Sequence, residues 1–339
     1  MKLIIQIPCL NEEELLPAAL AELPREVEGF DRVEWLVVDD GSTDGTVEVA
    51  KAHGVEHLVR LTNNKGLAAA FQAGLDAGLK LGADVIVNTD ADNQYPASDI
   101  PRLVEPILAG RADMVVGDRQ VQSLDHFSPT KKLLQRLGSW VVRRASETRV
   151  ADTTSGFRAY NREAALSLQV VDNYTYTLES LIQAGKGLVA VEHVPITANR
   201  TDRESRLVRS TSSYVRRNAL SIFRAYVRYE PLRVFMILAA IFAVAAVGAW
   251  TPFLADVVLN GDSDGHVQSL IAGAVLMLAS VQMFALGIIG DALASQRVIA
   301  QRTFERVRRL ELEAGVAPSH YDPNLTAETI ESITRSRGS

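Results

Sequence analysis

Asp90 and Asp92 form an Asp-Ala-Asp sequence directly after a short apolar run at 85–88. On an extended segment, alternate side chains point to the same side, so two carboxylates can face one hard divalent cation. Mg²⁺ commonly takes one or two protein carboxylates and completes its octahedron with phosphate oxygens of a substrate. The chain contains neither a GxxxxGK[ST] sequence nor a GxGxxG turn, which argues against a P-loop ATPase and a dinucleotide dehydrogenase. The spacing therefore predicts a site for a metal-bound diphosphate, such as that of a nucleotide sugar.

Three further polar motifs follow apolar runs in the first part of the chain. They are Pro-Cys-Leu-Asn-Glu at 8–12, Asp-Asp-Gly-Ser-Thr-Asp-Gly at 39–45 and Asn-Asn-Lys-Gly at 63–66. Taken singly, each is explained equally well as a turn or a helix cap. Together they would bring several carboxylates to the same edge of a sheet. Carboxylates that close together repel each other unless a cation or a polar ligand lies among them.

The elements that must position these motifs alternate along residues 1–195. The predicted strands are 3–7, 35–38, 56–61, 85–88, 114–116 and 188–191. The predicted helical stretches are 12–23, 46–53, 67–81 and 98–108. Strands separated by helices of this length predict βαβ units, and hence an α/β domain with a largely parallel sheet. Such sheets bind ligands beyond the carboxyl ends of their strands, which is where the four motifs fall.

The composition excludes several other classes of protein. The 339 residues include a single cysteine, Cys9, which excludes a disulfide framework and a multi-cysteine zinc site. The six histidines form no HExxH pair. A net charge of −6 has the wrong sign for binding nucleic acid, and no such partner is predicted. Acidic residues at 12–14 interrupt the first apolar run, so this run is interpreted as a core strand and not as a signal peptide.

Two uncharged apolar segments, 234–254 and 267–290, are long enough to cross the roughly 30 Å hydrocarbon core of a membrane. A pair of buried helices in a soluble domain is the alternative. No lysine or arginine occurs between 234 and 296, whereas arginines are frequent on both sides. By the positive-inside rule, this pattern predicts a multi-pass protein of the inner (cytoplasmic) membrane, with the catalytic domain and both termini in the cytoplasm and the connecting loop outside.

The order of the motifs resembles that of the inverting family 2 glycosyltransferases with a GT-A fold, in the polyprenyl-phosphate branch that includes dolichol-phosphate mannose synthase. Beyond the motifs above, the resemblance depends on Gly117-Asp118-Arg119, Asp152-x-x-Ser155-Gly156-Phe157-Arg158 and Arg200-x4-Ser205-Arg206-Leu207. It implies transfer of a sugar, with inversion, from a nucleotide-diphosphate sugar to the phosphate of a polyprenyl (undecaprenyl or dolichyl) phosphate, with Mg²⁺ or Mn²⁺ as cofactor. Leu10 replaces an aromatic residue of the mannose synthases, which leaves UDP- and GDP-linked donors open, and Arg206 replaces their usual lysine.

The resemblance also implies roles for individual residues. The donor nucleotide sugar would be bound by Pro8, Glu12, Asp39, Asp40, Lys65, Asp90, Ala91 and Arg119. The metal would be held by Asp92, Gln94 and Asp90. The acceptor phosphate would be bound by Arg200, Arg206 and Ser205, to which Arg203 is added on its charge. The catalytic residues would be Asp92, Asp152 and Arg119.

Asp152 has two interpretations. A phosphate acceptor is largely ionised at pH 7 because its second pKa is near 6, so the reaction depends less on a general base than on positioning and charge stabilisation. Asp152 would then be either a base or orienter of the acceptor, or a structural residue that caps the turn at 155–156 or pairs with Arg158. The structural role is favoured.

The predicted organisation has four parts. These are a GT-A catalytic domain at 1–210, a basic juxtamembrane helix at 211–230, two transmembrane helices within 231–290 (about 232–254 and 267–290), and a cytoplasmic amphipathic helix with a flexible tail at 291–339. Within the first part, 127–149 interleaves basic and apolar residues, as an amphipathic helix at a membrane surface does. A solvated helix packed on the sheet is the alternative. A homo-oligomer is expected of so small a membrane anchor.

Two other functions fit parts of the pattern. A membrane-bound polysaccharide synthase needs more than two spans and a Glu-Asp acceptor-base motif, and the sequence displays neither. A non-catalytic membrane scaffold with a degenerate transferase domain would not need Asp90, Asp92, Arg119 and Arg206, which are all present.

Overall fold

The structure is a computed structural model that describes residues 1–119, 150, 152–170, 176–187, 189–197, 199, 224, 227, 230–260 and 266–321. It divides into two compact units. The first comprises Met1–Ser221 with Arg302–Ser339, and the second comprises Ile222–Gln301.

The first unit is built on one seven-stranded sheet with the order β3-β2-β1-β4-β6-β5-β7. The strands are β1 Lys2–Cys9, β2 Arg32–Asp39, β3 His57–Arg60, β4 Val85–Asn88, β5 Met114–Asp118, β6 Arg158–Asn161 and β7 Val191–Pro195. Neighbouring strands are parallel, except that β6 is antiparallel to both β4 and β5. The predicted α/β class is confirmed, and the sheet is mixed.

Two sequence predictions about the strands were wrong. The strand β6 was missed because it begins with Arg158 and carries only four residues, so it lacks a hydrophobic run. The last strand is Val191–Pro195, whereas 188–191 was predicted. It pairs with β5 from Met114↔Val191 to Asp118↔Pro195 at the edge of the sheet. Because that edge is only partly buried, apolarity does not mark the strand.

The described helices of the first unit cover the sheet. They are α1 Leu16–Glu22, α2 Thr46–Ala52, α3 Leu67–Lys80, α4 Ile100–Leu108, α5 Arg162–Ser167 and α6 Tyr176–Lys186. The apolar residues of β1, β2 and β4 are almost fully buried. The parallel strands β1, β2, β3 and β4 thus end at one edge of the sheet, and the loops that follow them carry the four polar motifs.

The second unit contains two long apolar helices, α7 Pro231–Ala255 and the first part of α8 Val267–Glu313. They pack closely and in opposite directions. Ser280 Oγ donates to the Ala239 carbonyl at 2.8 Å, and Trp250 Nε1 donates to the Leu270 carbonyl at 3.2 Å. Over their most apolar windows only 11% and 17% of residues are buried, so most of the apolar surface of both helices is exposed. By length and composition, both can cross a membrane.

Candidate active site

The loops after β1 and β2 are joined by hydrogen bonds between the first two motifs. The Asn11 N–H donates to Ser42 Oγ at 2.9 Å, and the Thr43 N–H donates to Asn11 Oδ1 at 2.9 Å. The Glu12 N–H donates to Thr46 Oγ1 at 2.9 Å. These bonds hold half-buried Glu12, just beyond buried Pro8, next to the loop that begins at Asp39.

Asp39 is fully buried at the end of β2. Its Oδ1 accepts the Ser42 N–H at 2.9 Å. Its Oδ2 has no hydrogen-bond donor among the described residues and lies 3.3 Å from Arg60 Nε as an ion pair. A buried carboxylate oxygen without a donor is costly in a folded protein, so Asp39 is suited to accept hydrogen bonds from a ligand.

Asp40, the next residue, has a different environment. Its Oδ1 accepts the Lys65 N–H and its Oδ2 accepts the Gly66 N–H, both at 2.8 Å. Gly41 has a φ of +77°, and a Cβ there would lie 2.7 Å from the Asn63 backbone, so only glycine allows this approach. Asp40 therefore holds the loop at 63–66 in place, and the Lys65 side chain is exposed on it. Direct contact of Asp40 or Lys65 with a donor stays a prediction.

Asp90 and Asp92 follow β4 at the same edge of the sheet, on either side of buried Ala91. Asp92 Oδ1 accepts the Gln94 N–H at 3.0 Å, which closes a tight turn. The pKa of Asp90 is raised to about 7, first because the surrounding protein removes the carboxyl from water and second because Asp92 carries a like charge. Two carboxylates close enough to disfavour each other's ionisation fit the donor set of a hard divalent cation.

No group of three histidine, cysteine, aspartate or glutamate side chains among the described residues could hold a metal ion. At this turn, Asp90, Asp92 and, through its amide oxygen, Gln94 carry oxygen atoms of the kind that a hard cation prefers. Such a set leaves most of the octahedron of Mg²⁺ to substrate oxygens or water.

Sequence reasoning missed two tyrosines that surround Asp90. A Cβ on Gly156 would lie 2.7 Å from Tyr176 Oη and 3.3 Å from both carboxylate oxygens of Asp90, so these groups converge on one glycine. The Gly156 N–H donates to Tyr95 Oη at 3.2 Å. Burial above all raises the pKa of Tyr95 to about 12 and keeps the phenol neutral. The only sequence signal was the position of Tyr95 directly after Gln94.

Arg119 and Asp152 form a bidentate pair. Arg119 Nε donates to Asp152 Oδ2 at 2.7 Å, and Arg119 Nη2 donates to Asp152 Oδ1 at 3.1 Å. Arg119 Nη2 also donates to Thr154 Oγ1 at 2.8 Å. Burial alone would raise the pKa of Asp152, but hydrogen bonds from Arg119 and Thr154 lower it below its ordinary value. A carboxylate held in this way is a weak base, so Asp152 is suited to orient Arg119.

Arg158 is not the partner of Asp152 in this structure. Its guanidinium is fully buried and donates to the carbonyls of Ser155, Thr177 and Thr153 at 2.8, 2.8 and 3.0 Å, and to Ser180 Oγ at 2.7 Å. It thereby ties the loop at 153–155 to α6.

The predicted acceptor residues Arg200, Arg203, Ser205 and Arg206 lie outside the described residues, as does the predicted amphipathic helix at 127–149. The residue before them, Asn199, contacts the turn after Asp92. Its N–H donates to the Gln94 carbonyl and its Nδ2 donates to the Asn93 carbonyl, both at 3.0 Å. Asn199, which directly precedes the predicted acceptor residues in sequence, therefore lies at the turn that follows Asp92.

The mixed α/β sheet has the fold of the GT-A-like glycosyltransferases. A crystal structure of glucosyl-3-phosphoglycerate synthase from Mycobacterium tuberculosis has the same fold, with a TM-score of 0.51, 22% identity, and 65% of this chain and 78% of that chain covered. Residues 4–168 match the family model "Glycosyl transferase family 2", and residues 230–295 match "GtrB C-terminal hairpin".

Curated relatives agree with this classification. An undecaprenyl-phosphate mannosyltransferase from Micrococcus luteus is 32% identical over 207 residues, which cover 58% of this chain and 83% of that protein. A bactoprenol glucosyl transferase from Shigella phage SfX is 27% identical over 303 residues, which cover 86% of this chain and 93% of that protein. The chain belongs to glycosyl transferase family 2, and with its two apolar helices it is a membrane glycosyltransferase.

Proposed function

We propose that this protein transfers a sugar from a nucleotide-diphosphate sugar to the phosphate of a polyprenyl phosphate, with inversion. The strongest support is the acidic edge of the sheet. There Asp39, at the end of β2, offers a buried oxygen that has no donor among the described residues, and Asp90 and Asp92 follow β4. The relatives named for undecaprenyl phosphate and bactoprenol supply the acceptor class.

In the proposed reaction an oxygen of the acceptor phosphate attacks the anomeric carbon. A new carbon–oxygen bond forms there while the bond to the donor diphosphate breaks, and the nucleoside diphosphate leaves with the electron pair. A single displacement inverts the anomeric configuration. The acceptor phosphate is already largely ionised at pH 7, so the chain needs no general base for this step.

Arg119 is the residue of the described site best placed to stabilise phosphate charge. Asp152 and Thr154 occupy its Nε and Nη2, and within the described part of the chain its Nη1 makes no hydrogen bond. Asp152 then acts as a positioning residue, because it holds one edge of the planar guanidinium and leaves the other edge for a phosphate oxygen. Arg200, Arg203, Ser205 and Arg206 are proposed to bind the acceptor phosphate.

A divalent cation, Mg²⁺ or Mn²⁺, is proposed to be held by Asp92 and Gln94 with Asp90. When bound, it would neutralise charge on the leaving diphosphate as a Lewis acid. The related fold of glucosyl-3-phosphoglycerate synthase was solved with Mn²⁺ and UDP, and that observation applies to that protein. For this chain, we propose a sugar donor linked to uridine diphosphate or guanosine diphosphate. No single sugar is proposed, because the relatives are named for different sugars.

The reaction is proposed to occur at the cytoplasmic face of the membrane. The support is the distribution of arginine, which is absent from 234–296 and frequent on both sides of that stretch. A catalytic domain on that face meets nucleotide sugars in the cytoplasm and the lipid phosphate in the inner leaflet.

The test uses membranes that contain the full chain, a panel of labelled nucleotide sugars and added polyprenyl phosphate. We expect a labelled lipid that is extracted into organic solvent, is acid-labile and requires a divalent cation. Membranes with Asp92→Asn serve as the matched control and should give none. A labelled polymer, or the absence of any metal-dependent product, would contradict the proposal.

A further inference from the structure

Residues 302–321 lie outside both matched family models, which cover 4–168 and 230–295. They nevertheless belong to the same compact unit as the sheet. We call residues 302–321 the C-terminal clamp. It comprises the last turns of α8, which ends at Glu313, and the extended chain that follows.

Arg308 anchors the clamp in the transferase domain. Only 3% of this residue is exposed. Its Nη1 donates to the carbonyls of Ala165, Leu166 and Leu168 at 3.0, 3.2 and 3.2 Å, and its Nε lies 3.7 Å from an oxygen of Asp76. The carbonyls at a helix C-terminus carry partial negative charge, so the end of α5 is a favourable partner for a buried cation.

Ion pairs extend this contact along α3 and α5. Lys80 on α3 lies 3.0 Å from Asp76 and 3.1 Å from Glu311 of the clamp. Arg309 donates to Glu163 on α5 at 3.1 Å and also to Glu305 at 2.9 Å. Because Lys80 and Arg308 are almost buried, these pairs are screened less than surface pairs.

The extended part of the clamp covers the edge strand β3. The Arg60 N–H donates to the His320 carbonyl at 3.1 Å, and Tyr321 forms an antiparallel bridge with Val59. Tyr321 Oη lies 3.1 Å from Nδ1 of His57, whose Nε2 lies 2.6 Å from Glu34. An edge strand presents unpaired backbone groups, and the clamp pairs with part of this edge.

The two elements that the clamp holds are the two that carry the loop at 61–66. The strand β3 ends at Arg60, which lies beside Asp39, and α3 begins at Leu67. Between them, Lys65 and Gly66 donate to Asp40. We infer that the C-terminal clamp fixes the loop at 61–66, because it pairs with β3 at the start of the loop and binds the distal end of α3, the helix that begins where the loop ends, and so keeps the nucleotide-binding edge in order. Its consequence for nucleotide binding rests on the proposed function.

Two truncations of the full chain test this inference. One truncation ends at Gly315 and removes the extended part of the clamp, which pairs with β3. Its matched control ends at Asp322 and keeps that part. The measurement is amide hydrogen exchange of peptides that cover 57–66, which needs neither nucleotide nor activity. We expect exchange at least tenfold faster after truncation at Gly315, and unchanged exchange after truncation at Asp322. Equal exchange in the two truncations would overturn the inference.

Substitution of the anchor gives a second measurement at full length. Arg308→Lys keeps the charge but cannot reach three carbonyls as the planar guanidinium does, and it should speed exchange of 57–66 severalfold while β1 and β4 stay protected. Loss of protection throughout the sheet would mean that Arg308→Lys unfolds the whole domain. The two truncations then decide whether the clamp fixes the loop at 61–66.

Nucleotide titration connects the clamp to the proposed function. Truncation at Gly315 should weaken binding of UDP or GDP at least fivefold and raise the donor KM, with the acceptor KM within twofold of the full chain. If the full chain binds neither nucleotide, the proposed function fails. The hydrogen-exchange data still decide whether the clamp fixes the loop at 61–66. Faster exchange with unchanged nucleotide binding would overturn the link between the two.

Discussion

Asp39 and Asp40 are adjacent in the chain and yet differ in what their carboxylates do. Within the described part of the chain, Asp39 retains an oxygen that has no hydrogen-bond donor and only an ion pair with Arg60, whereas both oxygens of Asp40 accept backbone N–H groups of the neighbouring loop. The pair at Arg119 and Asp152 shows a similar division, because Asp152 is fully engaged in holding Arg119. At the scale of residues, we propose that the site consists of groups that bind the substrate and groups that hold those binding groups in place.

Asp39→Asn and Asp40→Asn should therefore have different effects. Asp39→Asn should weaken nucleotide binding about tenfold and cost less stability than Asp40→Asn, since Ser42 can still donate to the amide oxygen and the ion pair that is lost involves the exposed Arg60. Asp40→Asn leaves one loop N–H without a carboxylate acceptor and should cost roughly 1–3 kcal/mol of unfolding free energy. Nucleotide titration and thermal unfolding of both variants check this. An equal loss of stability in Asp39→Asn and Asp40→Asn would contradict the different roles proposed for the two aspartates.

Asp152→Asn and Asp92→Asn separate the positioning role proposed for Asp152 from the metal-binding role proposed for Asp92. Because Asp152 already accepts two hydrogen bonds from Arg119, Asp152→Asn should lower kcat by about tenfold or less and leave the shape of the pH–rate profile unchanged. Asp92→Asn should abolish measurable turnover. The measurement is kcat from pH 6 to 9 in detergent or vesicles. Loss of a limb of the profile in Asp152→Asn would instead indicate a general base.

At the scale of elements, the antiparallel strand β6 decides how the site is assembled. It lies between β4, which leads to Asp90, and β5, which leads to Arg119. Its first residue, Arg158, ties the loop at 153–155 to α6 through four hydrogen bonds. The strands that lead to Asp90 and Arg119, the two halves of the candidate active site, are therefore joined by a strand whose sequence carries no hydrophobic run.

Arg158→Lys should be far more damaging than Arg162→Lys four residues later. Lysine cannot reproduce four donors directed at four acceptors, so we expect a loss of roughly 3 kcal/mol or more in unfolding free energy. Among the described residues, the Arg162 side chain donates once, to the Ala83 carbonyl at 3.1 Å, and its replacement should cost less than about 1 kcal/mol. Thermal unfolding of the two variants compares them. Similar losses would show that the buried network is not what stabilises this loop.

At the scale of the molecule, the chain combines two unlike units. The mean hydropathy of +0.06 is the average of a polar transferase unit and a helical hairpin with an exposed apolar surface. The last residues of the long helix α8 belong to the transferase unit, so the chain returns to that unit after the hairpin. Because the average runs over two units of opposite polarity, the composition of the whole chain resembles that of a soluble protein.

Membrane orientation can be measured with introduced cysteines, since the native Cys9 is buried and gives little background. Asp262→Cys, in the loop between the apolar helices, should react with an impermeant thiol reagent in intact cells. Ser339→Cys should react only after the membrane is opened, because arginine-rich flanks are retained in the cytoplasm. Labelling of position 339 in intact cells would reverse the proposed orientation.

The sequence predicted much of the transferase domain because each element has a local signal. The helix at Leu67–Lys80 and the strand at Val85–Asn88 were predicted almost to the residue, since their apolar periodicity is set by neighbours in the chain. Strands β6 and β7 were missed or displaced because their positions depend on pairing with β4 and β5. The acceptor residues at 200–206 stay predictions, because they lie outside the described residues.

By itself, the sequence determined that acidic motifs follow the strands of an α/β domain and that two uncharged helices come after it. Short-range rules of periodicity, spacing and charge suffice for these features. Only the tertiary structure decided which aspartate has a carboxylate oxygen without a donor among the described residues, that Asp152 pairs with Arg119 and not with Arg158, and that residues 302–321 return to hold β3 and α3. Arg119 and Asp152 are 33 residues apart, and Tyr321 and His57 are 264 apart. Contacts over such separations are selected by packing of the whole chain, and no local pattern encodes them.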